Sequence, residues 1–166
     1  MADAVRGRPG PAAAPQDLVS LRLPAVGAYL SVLRTATAGL AARLDFTLDE
    51  IEDLRIAVDE ACAMLLPSAV PGADLECEFE LSADVIRVSV TVVTLDGRPP
   101  PRDTFAWTVL SALTGDVDSH VDGDYRVTID LQKRRGAAAA GPDTDTDART
   151  GPARGGADDE ATVETT

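Results

Sequence analysis

The chain has 166 residues, 45% hydrophobic but only 4% aromatic, which suits one domain whose core is built from Leu, Val, Ile and Ala. Its 28 acidic and 15 basic residues give a formal charge of −13. That excludes a face gripping a nucleic-acid backbone, which needs clustered Lys and Arg, and suits either a basic protein partner or plain solubility.

Residues 1–16 are rich in Pro, Gly and Ala without a hydrophobic period, and residues 136–166 repeat small and acidic residues with little to bury. Both are expected to be disordered tails around a folded domain at 17–135. The tails hold eight of the acids and four of the bases, leaving 20 acids against 11 bases and a charge of −9 on the domain. Leu18–Leu23 alternates and predicts a strand. Ala25–Arg43 carries Leu30, Leu33, Thr37 and Leu40 at helical spacing, with Gly27 and Gly39 lowering its propensity, and Asp45-Phe46 ends it. Thr47-Leu-Asp-Glu50 is a capping box opening a second helix with Ile51, Leu54, Val58, Ala61 and Leu65 on one stripe, ending near Pro67.

Leu75–Leu81 and Val85–Val93 alternate as a hairpin with one wet face. A turn-rich stretch, Asp96–Asp103, leads to a short helix over Phe105–Leu113 and a last strand pair, Val117–Val121 and Tyr125–Leu131, around Asp122-Gly-Asp124. The order β-α-α-β-β-α-β-β predicts a two-layer α/β (α+β) sandwich, its helices on one face of a mixed, largely antiparallel sheet. Two cysteines, Cys62 and Cys77, signal no disulfide framework. No apolar run is long enough for a bilayer and no leader pattern stands near Met1, so a cytoplasmic protein with no membrane partner is expected.

This order, with Leu54-Arg-Ile-Ala-Val-Asp-Glu-Ala61 on the second helix, resembles the anti-sigma factors and serine-protein kinases of the histidine-kinase-like (GHKL) ATPase superfamily, over about residues 18–133. The resemblance implies a Bergerat-type fold and a protein that holds an alternative sigma factor inactive. It further implies release by a STAS-fold anti-anti-sigma protein, which active members phosphorylate on serine using Mg-ATP. It also implies a homodimer.

The family's nucleotide motifs are eroded in this chain. A helical Glu is followed one turn later by an Asn that ligates magnesium. Glu60 matches the Glu, with Asp59 beside it, but Met64 stands for the Asn, and a thioether is a poor ligand for a hard cation. Thr94 stands where an Asp reads adenine, with Asp96-Gly97 as a shifted remnant followed by three prolines. Phe105 and Trp107 replace small residues at the phosphate-cradling turn, where bulky rings would keep backbone and phosphate apart. A related actinobacterial branch has the same Asp-Glu helix and a Trp-containing turn, so the resemblance favours the anti-sigma role over the kinase role. No cofactor is expected, Mg-ATP entering only if the site still functions, which the rival kinase reading would do through a magnesium site relocated to Asp59, Glu60 and Asp96.

Glu60 is then either a vestigial base or a helix-surface acid. Arg34 matches an Arg that contacts both sigma factor and STAS partner, and otherwise is a solvated helical Arg. Leu30, one turn earlier, replaces the family's acidic partner residue and serves core or interface; the apolar surface near Leu30 and Leu33 is a candidate for protomer contacts. Trp107 either plugs the emptied pocket or packs in the core. Cys62 and Cys77 read as small hydrophobes, with a redox switch as the minority reading. His120 lacks a ligand constellation and no metal site is expected.

Overall fold

A computed structural model describes residues 17–136; the tails expected at 1–16 and beyond Gly136 lie outside the described residues. Strand β1 (Asp17–Pro24) leads through helices α1 (Leu30–Arg43) and α2 (Leu48–Leu65) to the hairpin β2 (Asp74–Leu81) and β3 (Val85–Val93). Helix α3 (Phe105–Leu113) and the hairpin β4 (Asp116–Val121) and β5 (Arg126–Arg134) follow. The sheet order is β1-β2-β3-β5-β4. Every pairing is antiparallel, where a mixed sheet was expected. The reason is topological: β4 runs parallel to β3, but β5 inserts between them, so β3 and β4 form no parallel ladder.

The period of two in the strands sorts the sheet into a dry and a wet face. Leu75, Cys77, Phe79 and Leu81 of β2 are buried opposite Val92, Val90, Val88 and Ile86 of β3, and Val127, Ile129 and Leu131 of β5 continue that face. Leu33, Ala41, Leu54, Val58, Ala61, Leu65, Trp107 and Leu110 come down on it from the three helices. The other face carries Glu76, Glu78 and Glu80 of β2 and Asp116, Asp118 and Asp130 of β4 and β5, with no helix over it.

The helix expected from Ala25 starts later. Val26 is extended, Gly27–Tyr29 makes one 3-10 turn, and α1 begins at Leu30 without a side-chain cap. Glycine after Pro24 carries a backbone entropy cost that a regular first turn would not recover. Asp45, at φ 57°, ends α1 in the left-handed region that short polar side chains tolerate. Helix α2 opens on the predicted capping box: Thr47 Oγ1 accepts from Glu50 N at 3.3 Å, and Glu50 Oε2 accepts from Thr47 N at 2.8 Å. The other oxygen of Glu50 accepts from Gly136 N at 2.5 Å, so the end of the described chain is tied to the start of α2. Lys133, on the dry face of β5, donates to Leu113 O at 2.6 Å and Asp53 at 2.9 Å, joining the sheet to the ends of α3 and α2.

Candidate functional site

The three stretches read as nucleotide motifs meet at one end of the molecule. A cavity of about 450 Å³ there has Met64 and Ser68 on one side and Asp96, Arg98 and the prolines 99–101 on another; Thr104 and Ala106 at the start of α3 complete it. Met64 reaches this cavity, but Glu60, one turn earlier, is not among the lining residues and has no ion-pair or hydrogen-bond partner among the described residues. Among those residues no cluster of three His, Cys, Asp or Glu is arranged to hold a metal, so Asp59, Glu60 and Asp96 do not form the relocated magnesium site.

Thr94, where the resemblance puts an adenine-reading Asp, is only 2% exposed and is used up internally. Its hydroxyl donates to Tyr125 O at 3.2 Å and accepts from Gly97 N at 3.0 Å, and its own N–H donates to Tyr125 O at 2.9 Å. Gly97 sits at φ 62°, and a Cβ there would collide with the ring of Tyr125. That glycine therefore makes room for a tyrosine of the β4–β5 turn rather than for a phosphate. Asp96 closes a tight turn by accepting from Arg98 N at 3.2 Å while lining the cavity.

The start of α3 departs from expectation. Phe105 and Trp107 were expected to stand between backbone and phosphate, yet neither lines the cavity. Phe105 points outward, 84% exposed, and Trp107 packs in the core, 8% exposed, with the Arg102 guanidinium 5.1 Å over its ring. Of the two readings of Trp107, pocket plug or core packing, the side chain takes the core. The cause is the cap: Thr104 Oγ1 accepts from Trp107 N at 3.2 Å, and the helix this fixes turns Trp107 and Leu110 inward and Phe105 out. The same cap occupies a terminal N–H that a phosphate would need. Three prolines without N–H groups and a thioether wall complete a cavity with little to offer a triphosphate.

On α1, Leu33 is 0% exposed, which removes it from any protomer contact. Leu30 packs partly against the core. The exposed apolar side chains are instead Val32 on α1 and Val26 and Tyr29 just before it. Arg34, two residues after Val32 and so on another side of the helix, is exposed, its Nε hydrogen-bonded to Asp59 Oδ2 across the α1–α2 seam. Asp59 therefore turns toward α1 and away from the cavity. The composition of α1 hinted at its exposed apolar side; nothing in the sequence paired residues 34 and 59.

Both cysteines are buried and unbonded. Burial pushes the Cys62 thiol far up, with the neighbouring Cys77 adding to it, and pushes Cys77 up to about 12. Such thiols carry almost no thiolate at neutral pH, which removes the chemical basis of a redox switch. The wet face expected of the β2–β3 hairpin carries what sequence reasoning missed, a groove of about 750 Å³ that runs past Glu78, Glu80, Asp116 and Asp130. The Glu-x-Glu-x-Glu alternation of β2 was its signal.

No protein-family model matches the chain. It is 36% identical over 107 residues to the anti-sigma-F factor RsbW of Mycobacterium tuberculosis, covering 63% of this chain and 62% of that relative. Over 77 residues it is 46% identical to the serine-protein kinase RsbW of Bacillus subtilis, covering 45% of this chain and 48% of the kinase. The chain is a homologue of these RsbW proteins and spans less than two thirds of their length. A crystal structure of the RsbU and RsbW domains of a M. tuberculosis protein superposes with a TM-score of 0.59 at 17% identity, over 76% of this chain and 34% of that one, and shares the fold. No helix among the described residues is long and apolar enough to cross a membrane.

Proposed function

We propose that this homologue of the RsbW proteins is an anti-sigma factor, which binds an alternative sigma factor, holds it from RNA polymerase, and releases it to a STAS-fold antagonist without phosphorylating that antagonist. What carries the reading is the combination of kinship to an anti-sigma-F factor with a cavity that has Met64, three prolines and a self-capped helix where nucleotide chemistry would be done. The binding surface on this reading is the outer side of α1, with Val26, Tyr29 and Val32 supplying apolar area beside Leu30, and Arg34 supplying a directed charge. Aromatic and arginine side chains set in apolar surroundings are the usual carriers of interface energy. No nucleic acid contact is involved, and the work is done in the cytoplasm, where polymerase is.

Two such chains pair as a homodimer on this reading, through the apolar side chains of α1 other than Leu33. The serine-protein kinase name of the Bacillus relative makes the kinase the alternative, and Met64 at the cavity weighs against it. The test is co-expression with individual alternative sigma factors followed by co-purification, then incubation of the complex with a STAS protein and Mg-ATP. Stable capture of one sigma factor with no phosphoserine on the STAS protein is expected. Phosphoserine that disappears in Glu60→Ala would replace the reading with the kinase.

A further inference from the structure

We infer that Asp59 is a positioning residue that holds the Arg34 guanidinium by its Nε and so presents the two Nη groups outward for a carboxylate of the bound protein. The inference rests on the proposed use of α1 as the partner surface and adds the device that makes its one central charge directional. Asp59 grips Arg34 through Oδ2 alone, and only Nε of Arg34 is engaged. The other oxygen, Oδ1, is buried and without a hydrogen-bond partner among the described residues. A carboxylate with one oxygen shielded from water and one cation as its partner is held to that cation more strongly than a fully exposed ion pair would be.

The competing base is kept out of the way. Arg55, one turn before Asp59 on α2, directs Nη1 to Glu52 at 2.6 Å. Arg34 is therefore the group that neutralises Asp59, and its side chain is 44% exposed against 27% for Asp59. A guanidinium is a planar fork; gripping it at Nε fixes the plane and leaves the Nη edge free. Along that edge two parallel N–H groups match the two oxygens of an Asp or Glu side chain. Leu30, one turn before Arg34 and on the same side of α1, is apolar and only partly buried, so the partner segment that fits is an apolar surface carrying one carboxylate. An untethered arginine would have to be ordered at the moment of binding, which costs affinity.

The experiment is a double-mutant cycle on the affinity of the full chain for the sigma factor with which it co-purifies, with the Arg34 Nε–H resonance followed by NMR in the free protein. Asp59→Ala is expected to weaken binding roughly three- to tenfold, the cost of ordering one long side chain. It should have no further effect in an Arg34→Ala background, and Asp59→Glu should recover part of the loss. In the free wild type the Arg34 Nε–H should be shifted and slow to exchange, and Asp59→Ala should return it to the position of a free arginine. Equal losses from Asp59→Ala in both backgrounds would mean a direct or structural role and overturn the inference. So would full affinity in Asp59→Ala, or a free-arginine Nε–H in the wild type. If Arg34→Ala binds as tightly as wild type, the partner surface on α1 falls and this inference with it. Loss on Arg34→Ala with Asp59→Ala silent removes this inference alone.

Discussion

Thr94 shows how a single position changes trade. With one hydroxyl it closes the turn at Gly97 and ties β3 to the carbonyl of Tyr125, both at a site 2% exposed. Thr94→Val keeps the shape, removes both hydroxyl bonds and leaves the Gly97 N–H unpaired, so a loss of about 1–3 kcal/mol is expected in urea unfolding. Thr94→Asp, which restores the residue type used for adenine, should also destabilise, because it places a carboxylate against the Tyr125 carbonyl oxygen. Gly97→Ala should cost at least as much, since φ 62° and the Tyr125 ring both oppose a Cβ. Nucleotide binding in Thr94→Asp would argue that the site is one residue away from function.

The thiols give a pH prediction with a definite sign. Cys77 titrates at about 12 in the fold against an ordinary 9.0, and Cys62 is displaced the same way, both chiefly by burial. The folded state thus keeps protons that the unfolded chain gives up. Their contribution is fully present below about pH 9 and is lost as pH rises toward 12. Chemical denaturation between pH 8 and 11 should show stability falling, with a shallower slope in Cys62→Ala. Native protein should react with a thiol reagent only through unfolding; fast labelling at pH 7.5 would contradict the burial of both side chains.

At the level of elements, α2 was the most legible segment because its signals are local. The capping box, the apolar stripe and the proline stop all lie within 20 residues, and the helix runs Leu48–Leu65. Glu50 has a second task no local pattern announced. Burial acts to raise its pKa, but hydrogen bonds from Gly136 and Thr47 outweigh it and hold the carboxyl below its usual range. Glu50 therefore stabilises the fold above the ordinary carboxylate pKa, and this contribution is lost as pH falls through its lowered value. Glu50→Ala should cost about 1 kcal/mol at pH 7 and nearly nothing at the acid end, read by thermal melts across pH 3–7.

Helix α3 spans the residues expected from sequence, which left the place of Trp107 open between cavity and core. Phe105 and Trp107 are two residues apart and of similar character, so composition does not say which points inward. The Thr104 cap sets the rotation, and a cap hydrogen bond is a three-dimensional fact. The same limit hid the role of Asp59: its partner Arg34 is 25 residues away on another helix. Motif spacing reports what one helix presents on one face; it is silent on contacts between helices.

For the whole molecule, the nucleotide question reduces to a measurement of linkage. A ligand at about 100 times its Kd adds about 2.7 kcal/mol to folding stability, which in a domain of this size raises Tm by several degrees. With Met64, three prolines and a capped helix at the cavity, no shift is expected at millimolar Mg-ATP. A rise of several degrees would restore the ATP-dependent reading. The sandwich as a whole was legible because strand alternation and helix stripes specify which faces are dry, whereas the purely antiparallel order depended on where β5 inserts.

That insertion governs how the protein comes into being. Strand β5 sits between β3 and β4 yet is the last element among the described residues, so a growing polypeptide holds the other described strands and helices before the sheet can close. Until residue 134 has emerged from the ribosome, β3 and β4 each present an open edge to their surroundings, and edges of that kind recruit other strands. Closure joins β5 to β3, about 30 residues earlier in the chain, and pairing across such a separation is a slow class of folding step. A chain ending at Asp124 should collapse without acquiring cooperative unfolding. Adding a peptide of residues 125–136 should restore it, making β5 the strand on which cooperative folding waits.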